Sequence, residues 1–238
     1  MKKILLLLAA GPLAAEEGAR LGLLLTHATD TYRFATGRTQ LLPFFQYESR
    51  RFYVDGLGAG LRLAGGIDEE ASLGLGLRYQ PEPAWRPPRA SGLERRAPAF
   101  QLELNGHWDS PLGRSVLRFG RDLARAGHTL ELQQGYYFPL TPRLALKPAL
   151  GLVWGDGRHR RYYYGVSAGE AARSGLVEYR PGAGWTPYAE ISAFYQLSPR
   201  LNLSAGLRRS QLTGDAAHSP VSRRRSGTSA TLGLHYQW

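Results

Sequence analysis

The chain has 238 residues, with 30 Lys and Arg against 19 Asp and Glu, and a formal net charge of +11. It contains no cysteine, which excludes a disulfide scaffold, a thiolate metal site and the lipidated cysteine of a lipoprotein. A basic chain can bind nucleic acid, but no stretch combines basic residues with stacking aromatic side chains, so no nucleic-acid partner is predicted.

The first predicted element is a secretory signal peptide at residues 1–15. Lys2 and Lys3 precede the apolar run Ile4–Ala10, and small residues at the exit predict cleavage after Ala15. This run is too short to span a bilayer, and no other stretch approaches 18 uninterrupted apolar residues. Residues 16–238 are therefore expected to form one exported domain without a helical membrane anchor.

Alternation of apolar and polar residues predicts β-strands through the rest of the chain. The predicted strands span residues 18–26, 39–47, 51–63, 71–80, 98–108, 114–121, 128–140, 143–154, 185–197, 200–212 and 228–238. Bacterial single-chain barrels have an even number of strands. A short extra strand at Tyr32–Thr36 would give twelve, which is favoured, whereas a merger within 39–63 would give ten. The predicted fold is all-β: a transmembrane antiparallel up-and-down β-barrel in a Gram-negative outer membrane.

The connections alternate between short and long. Leu140–Leu146 and Leu197–Leu203 repeat one tight-turn pattern, in which Ser or Thr precedes Pro and Arg, and this predicts two hairpin turns on the periplasmic side. Long loops at 81–97, 155–184 and 213–227 carry arginine clusters and are expected outside the cell. Lipopolysaccharide phosphates are one predicted partner of these arginines, and plain solvation is the alternative.

The C-terminal strand, Ser229–Trp238, alternates apolar and polar residues to its aromatic end. A strand that closes a barrel shows this pattern, because its apolar face meets lipid; an edge strand of a soluble sandwich is the alternative. Gly233, Tyr236 and Trp238 form the predicted signal for the barrel-assembly machinery. Trp154 and Trp185 are expected at the outer rim, and Trp108 at the periplasmic rim.

Polar residues on the opposite face of the predicted strands form the expected lumen. The candidate lumen residues are Arg62, Arg78, Glu103, His107, Lys147, Glu190 and Arg208. Mixed charges of this kind can pair and fill a barrel, or line a narrow channel for small solutes, and both interpretations remain open.

Catalysis is not predicted, although Asp215, His218 and Ser219 lie in one loop. A catalytic triad needs a nucleophile within hydrogen-bond reach of an oriented base, which three nearly adjacent loop residues seldom provide. The six histidines are dispersed without the spacing of metal ligands. The chain is therefore expected to be no enzyme and to carry no cofactor or metal.

Several blocks resemble the MipA/OmpV family of outer-membrane proteins. They are RFYVDGLGAGL (Arg51–Leu61), YYYGVSAGEAARSGL (Tyr162–Leu176), YRPGAG (Tyr179–Gly184) and LTGDAAHSPV (Leu212–Val221), although the family usually has Asp in place of His218. The resemblance implies an outer-membrane barrel. It also implies a scaffold that joins a murein hydrolase to a murein synthase, with porin-like channels and adhesins as alternatives.

The long loops contain the candidate partner contacts. These are Tyr162, Tyr163, Tyr164, Arg180, Arg223, Arg224 and Arg225. Exposed aromatics can anchor a partner protein. The tyrosines can equally fold over the barrel mouth, and this is favoured because Gly165 permits a sharp turn directly after them.

Overall fold

The computed structural model describes residues 18–29, 31–33, 37–66, 69–81, 85–124 and 127–238. The predicted signal peptide lies outside these residues. None of the helices in the described part of the chain has the length and apolar character needed to cross a membrane.

The described chain forms one closed antiparallel barrel. Its strands are β1 (Gly18–Ala28), β2 (Arg38–Glu48), β3 (Phe52–Asp55), β4 (Gly58–Ala64), β5 (Ala71–Gln80), β6 (Ala99–Ser110), β7 (Gly113–Asp122), β8 (His128–Gly135), β9 (Phe138–Thr141), β10 (Leu144–Gly155), β11 (Gly184–Gln196), β12 (Leu201–Gln211) and β13 (Ser226–Gln237). β8 and β9 both pair with β10 and form one wall strand, which Tyr136 and Tyr137 interrupt. β1 pairs with β13 as well as β2, which closes the sheet with twelve wall strands.

The prediction of twelve strands is confirmed, but the predicted position of the twelfth was wrong. The strand predicted at 51–63 divides into β3 and β4 at Gly56, whose φ of 79° turns the chain sharply. In the proposed extra strand, Tyr32 forms only an isolated bridge with Ser222, and residues 34–36 lie outside the described chain.

The three long loops lie at one end of the barrel, and the repeated short turns lie at the other. The repeated turns after β9 and β11 each close on a hydroxyl, because Thr141 Oγ1 and Ser198 Oγ accept hydrogen bonds from backbone N–H groups two and three residues later. The C-terminus lies at this same end, since β13 runs antiparallel to β12. These capped connections, of two residues after β9 and four after β11, leave little chain beyond the strands here.

Leucines and other apolar side chains point outward along the wall, as a lipid-facing surface requires. Leu150 is 68% exposed. Exposed apolar residues around the wall include Leu21, Leu23, Leu61, Leu77, Leu102, Leu117, Leu132, Leu152, Ile191, Leu203, Leu207, Leu232 and Leu234. Exposed Trp108 and Trp238 lie at the short-turn end, and Trp154 pairs with Trp185 at the other end. The aromatic residues therefore bracket the apolar belt as interfacial girdles do.

The long loops pack into one small folded unit, here called the cap. It comprises residues 85–98, 156–183 and 212–225 together with Tyr32, and it contains α1 (Gly157–Tyr164), α2 (Ala168–Ser174) and α3 (Asp215–His218). Its buried core contains Tyr32, Trp85, Leu93, Tyr163, Tyr164, Val166, Leu212, Ala216 and Val221. The main apolar core of this molecule thus lies in its loops, since the barrel interior is polar.

Side-chain caps determine where the cap helices begin. The Asp156 carboxylate accepts from the N–H of His159 at the start of α1. Ser167 and Glu170 form a reciprocal capping box at the start of α2, which ends at Gly175 with a φ of 71°. The segment predicted as a long loop at 155–184 therefore contains two helices, which the strand pattern does not indicate.

Candidate functional site

The lumen contains a first ion-pair network on β2 to β6. Arg78 lies between two carboxylates, with its Nη2 2.5 Å from Asp55 Oδ2 and its Nε 2.8 Å from Glu103 Oε2. Arg62 pairs with Glu48 nearby, and both side chains are less than 10% exposed. Glu48 and Asp55 were not predicted as lumen residues, although each lies on the strand face opposite the exposed apolar residues.

A second network joins β7, β8, β11 and β12 on the other side of the lumen. Glu131 accepts from Arg118 Nη1 at 3.0 Å and from the Tyr188 hydroxyl at 2.6 Å. Arg208 lies 3.6 Å from the same carboxylate and 3.9 Å from Glu190, and its guanidinium carbon lies 3.4 Å from the centre of the Tyr188 ring. Cation–π contact and ion pairing together hold Arg208 against the wall.

The remaining predicted lumen residues also lie on the inward register. His107 Nδ1 is 2.6 Å from Ser72 Oγ, and His107 Nε2 is 3.3 Å from the Glu69 carbonyl. Lys147 lies opposite Ser192 in the β10–β11 ladder. Glu103 and His107 therefore have separate partners, although they are four residues apart on one strand.

Small polar side chains leave a cavity of about 300 Å³ beside the second network. Ser192, Ser204, Ser229 and Thr231 line it together with Glu190 and Arg208. Hydroxyl groups and one pair of opposite charges suit a small hydrated solute or ordered water.

A buried ion pair joins the two largest loops of the cap. Arg96 Nη2 is 2.7 Å from Glu170 Oε1, with side chains 5% and 4% exposed. Glu170 also accepts from the N–H groups of Ser167 and Glu94. Burial alone would raise the pKa of Glu170, but these hydrogen bonds and the Arg96 charge outweigh burial and hold the pKa below its usual value.

The predicted loop contacts divide between the core and the surface of the cap. Tyr163 and Tyr164 are buried in the cap, and Tyr162 accepts a hydrogen bond from the N–H of Ala97. Arg180 is exposed and pairs with Glu178. The side chains of Arg223, Arg224 and Arg225 are exposed directly before β13.

The structure holds Asp215, His218 and Ser219 apart from one another through different partners. Ser219 Oγ donates to the Tyr164 carbonyl at 2.5 Å, and Asp215 Oδ2 accepts from the N–H of Gly182 at 2.9 Å. His218 Nδ1 lies 3.0 Å from the Gly214 carbonyl. These side chains fasten the cap and do not form a nucleophile–base pair.

The C-terminal signal residues lie on β13. A Cβ atom added to Gly233 would lie 2.5 Å from Ser204 Oγ, so a larger residue would force this lumen side chain to move. Tyr236 and Trp238 stack with ring centres 6.4 Å apart, and both are exposed on the outer face.

Known proteins share both the sequence and the architecture. The family described as MltA-interacting protein MipA matches residues 21–238. The chain belongs to the MipA family. The MltA-interacting protein of Escherichia coli (strain K12) is 28% identical over 195 residues, covering 76% of this chain and 74% of that protein. YiaT of the same organism is 26% identical over 220 residues, covering 87% and 85%.

Solved barrels share the fold of this MipA family member at low sequence identity. The translocator domain of the autotransporter NalP from Neisseria meningitidis has a TM-score of 0.56 at 13% identity, covering 100% of this chain and 95% of that chain. The NanC porin has a TM-score of 0.52 at 7% identity, covering 92% and 100%. This chain is thus an outer-membrane barrel of the MipA family, and its exposed apolar wall fits contact with membrane lipid.

Proposed function

We propose that this MipA family member is a closed structural barrel that docks murein enzymes through its periplasmic rim. The observation that carries the proposal is the ion-paired lumen beneath a packed cap. The wall is suited to lipid, the charges of the two lumen networks are paired, and the cap is folded on itself, which leaves the short-turn end as the surface for a protein partner. The name of the relative, MltA-interacting protein, supports a murein hydrolase as one such partner.

The periplasmic rim has a small but distinctive surface. Leu112, at the tip of the β6–β7 turn, is 81% exposed, and Arg143 is exposed on the adjacent β9–β10 turn. Arg50, Arg51 and Arg200 are exposed on more distant turns of the same rim. An apolar anchor on a rim that also carries arginines is a common composition for a docking surface. Because the turns are short, the expected contact is a small, transient one.

Charge reversal on this rim tests the scaffold proposal. The combined variant Leu112→Asp and Arg143→Glu should lose co-purification of a murein hydrolase and a murein synthase with the refolded barrel. Arg180→Glu, which changes an exposed arginine on the opposite end, is the matched control and should retain both enzymes. Retention by the rim variant, or absence of both enzymes from the wild-type barrel at modest salt, would refute the proposal.

A small-solute channel is the second candidate, and the cavity beside Arg208 favours it. Single-channel recording of the refolded barrel in planar bilayers distinguishes the two. The structural barrel should give no discrete currents, whereas a channel should give steady steps that Ser192→Arg, at the cavity wall, reduces.

The remaining expectations belong to the same proposal. Arg223–Arg225 are proposed to meet lipopolysaccharide phosphates, and β13 is proposed to engage the barrel-assembly machinery. We propose no catalytic role and no cofactor, supported by the separate partners of Asp215, His218 and Ser219. Lipid A that is chemically unchanged by the barrel, and equally unchanged by Ser219→Ala, would be the expected result.

A further inference from the structure

The barrel wall is lower at one place, between β2 and β5. β2 pairs with β1 along its whole length, but it pairs with β3 only at Gln46, Tyr47 and Glu48. The hairpin then turns at Gly56 and returns as β4. Residues 38–45 of β2 consequently have, among the described residues, no paired strand on their β3 side. We call this gap the notch.

Pro43 lies in the unpaired part of β2, at a position whose backbone nitrogen faces the open edge. Ser49 donates its N–H across the β2–β3 turn to the Phe52 carbonyl. Alternate residues of a strand direct their N–H groups to the same neighbour, so the position of Pro43 is one that faces the notch. Proline has no N–H to leave unpaired there, which is why strand prolines occur at open edges.

The outer border of the notch is part of the lipid-facing belt. Leu41 is 65% exposed beside the unpaired edge of β2, and Phe45 and Leu57 are exposed below it. Leu41 pairs with Leu25, which pairs with Leu232, and all three are exposed in one row. The notch is therefore continuous with the surface that contacts lipid acyl chains.

The lower part of the inner border is apolar as well, whereas Gln40 occupies the same inward register of β2 above it, towards the rim. Leu24, Leu42 and Phe44 lie on the inward register of β1 and β2, where Leu24 pairs with Leu42. The Phe44 ring contacts the edge of His235 with centres 4.7 Å apart, and it reaches within 3.0 Å of the Cβ position of Gly56. Phe44 thus lies at the lower corner of the notch.

These observations decide which ligand fits. Unpaired backbone groups at membrane depth need partners from protein or water, so we expect water from the lumen to reach the β2 edge while the side chains beside it remain available to lipid. Between Gln40 and Gln46, the side chains of this inward strip are apolar and offer no hydrogen bond to a hydrated solute. We propose that the notch admits an acyl chain of an outer-leaflet lipid, which lies against Leu24, Leu42 and Phe44 while its head group stays at the rim.

Single-cysteine labelling tests the proposal, because the chain has no native cysteine. A fluorophore is placed at the inward position by Leu42→Cys, with Leu41→Cys as the lipid-facing reference and Ser192→Cys as an inward control across the lumen. The full barrel is reconstituted in bilayers of phospholipids with brominated acyl chains. Heat-modifiable migration on a gel verifies folding of each variant, and Phe44→Cys replaces Leu42→Cys if the latter does not fold.

The proposal predicts that the label at position 42 is quenched nearly as strongly as the label at 41, and several-fold more than the label at 192. Equal quenching at 42 and 192 would overturn it. Brominated free fatty acid, added to barrels in non-brominated bilayers, forms the second arm. Quenching at 42 by the free acid alone would overturn the assignment to a bilayer lipid.

Discussion

The buried ion pair between Arg96 and Glu170 should control the stability of the cap without affecting the barrel. Glu170→Gln removes the carboxylate charge and leaves buried Arg96 with neutral acceptors only, which are the introduced amide oxygen and the carbonyls of Glu94 and Gly165. Removing one partner of a buried pair costs about 3–5 kcal/mol, since the other charge stays out of water. This corresponds to roughly a 100- to 5,000-fold loss of protection against opening.

The reciprocal change should cost less. Arg96→Met removes the cation, but Glu170 retains hydrogen bonds from Ser167 and Glu94 that stabilise its charge. Losing the charge-assisted bonds of Arg96 should cost about 1.5–3 kcal/mol. Glu94→Gln is the matched control, because Glu94 forms an exposed pair with Arg173, and such pairs contribute about 0–1 kcal/mol.

Amide hydrogen exchange of residues 85–98 and 167–179 in the refolded protein measures these differences. Heat-modifiable migration should be unchanged in all three variants, because the strand ladders lie outside the cap. The reasoning would be refuted if Glu170→Gln and Glu94→Gln lost equal protection, since burial would then not determine the cost. Loss of the folded barrel in Glu170→Gln would also refute it.

Three more predictions concern the effect of acid on the cap, a substitution on the lipid-facing wall, and a substitution at a close contact between strands. Because the pKa of Glu170 is depressed in the folded cap, its carboxylate stabilises the cap fully above the unfolded pKa of about 4.3, and this stabilisation is lost as pH falls through the folded pKa. Hydrogen-exchange protection of the cap should therefore drop in acid. Glu170→Gln should make this protection less dependent on pH. Leu150→Arg should cost about 2–4 kcal/mol in urea unfolding from bilayers, whereas a cost near zero would contradict its lipid-facing position. Gly76→Ala should lower the refolding yield of the barrel, because the added Cβ would lie 2.4 Å from the Ala59 carbonyl oxygen. Gly214→Ala is the comparison, since no atom lies within 4 Å of the Cβ position of Gly214 and only its φ of 55° opposes the change.

The wall was predictable because its chemistry repeats at every second residue. Alternation from Leu201 to Leu207 and from Ala230 to Trp238 defines both faces of a strand without any knowledge of its neighbours. The repeated turns were predictable for the same local reason, since Thr141 and Ser198 close them through contacts two and three residues away. Local rules therefore determine most of this barrel.

The cap and the lumen pairs depend on contacts between distant parts of the chain. Arg96 finds Glu170 across 74 residues, and Tyr32 stacks on Trp85 with ring centres 4.8 Å apart. The sequence indicates that such residues are available, but not which of several loops they join. Leu24, Leu42 and Phe44 were missed for a different reason. Near these residues β1 and β2 are apolar on both faces, and alternation cannot then identify the inward side.

Prolines within the strands indicate where strand pairing is interrupted, which the pattern of leucines does not show. Pro43 lies where β2 loses its β3 partner, and Pro148 lies opposite the interruption at Tyr136, whose N–H it accepts. Pro187 directly precedes the first residue of β11 that pairs with β12, and Pro139 adjoins a register shift in the β9–β10 ladder. Because proline cannot donate to a ladder, each of them marks a place where one neighbour is missing or displaced. Pro43 thus marks the open edge of β2 in the sequence itself, and with it the low part of the wall where we propose that a lipid chain enters.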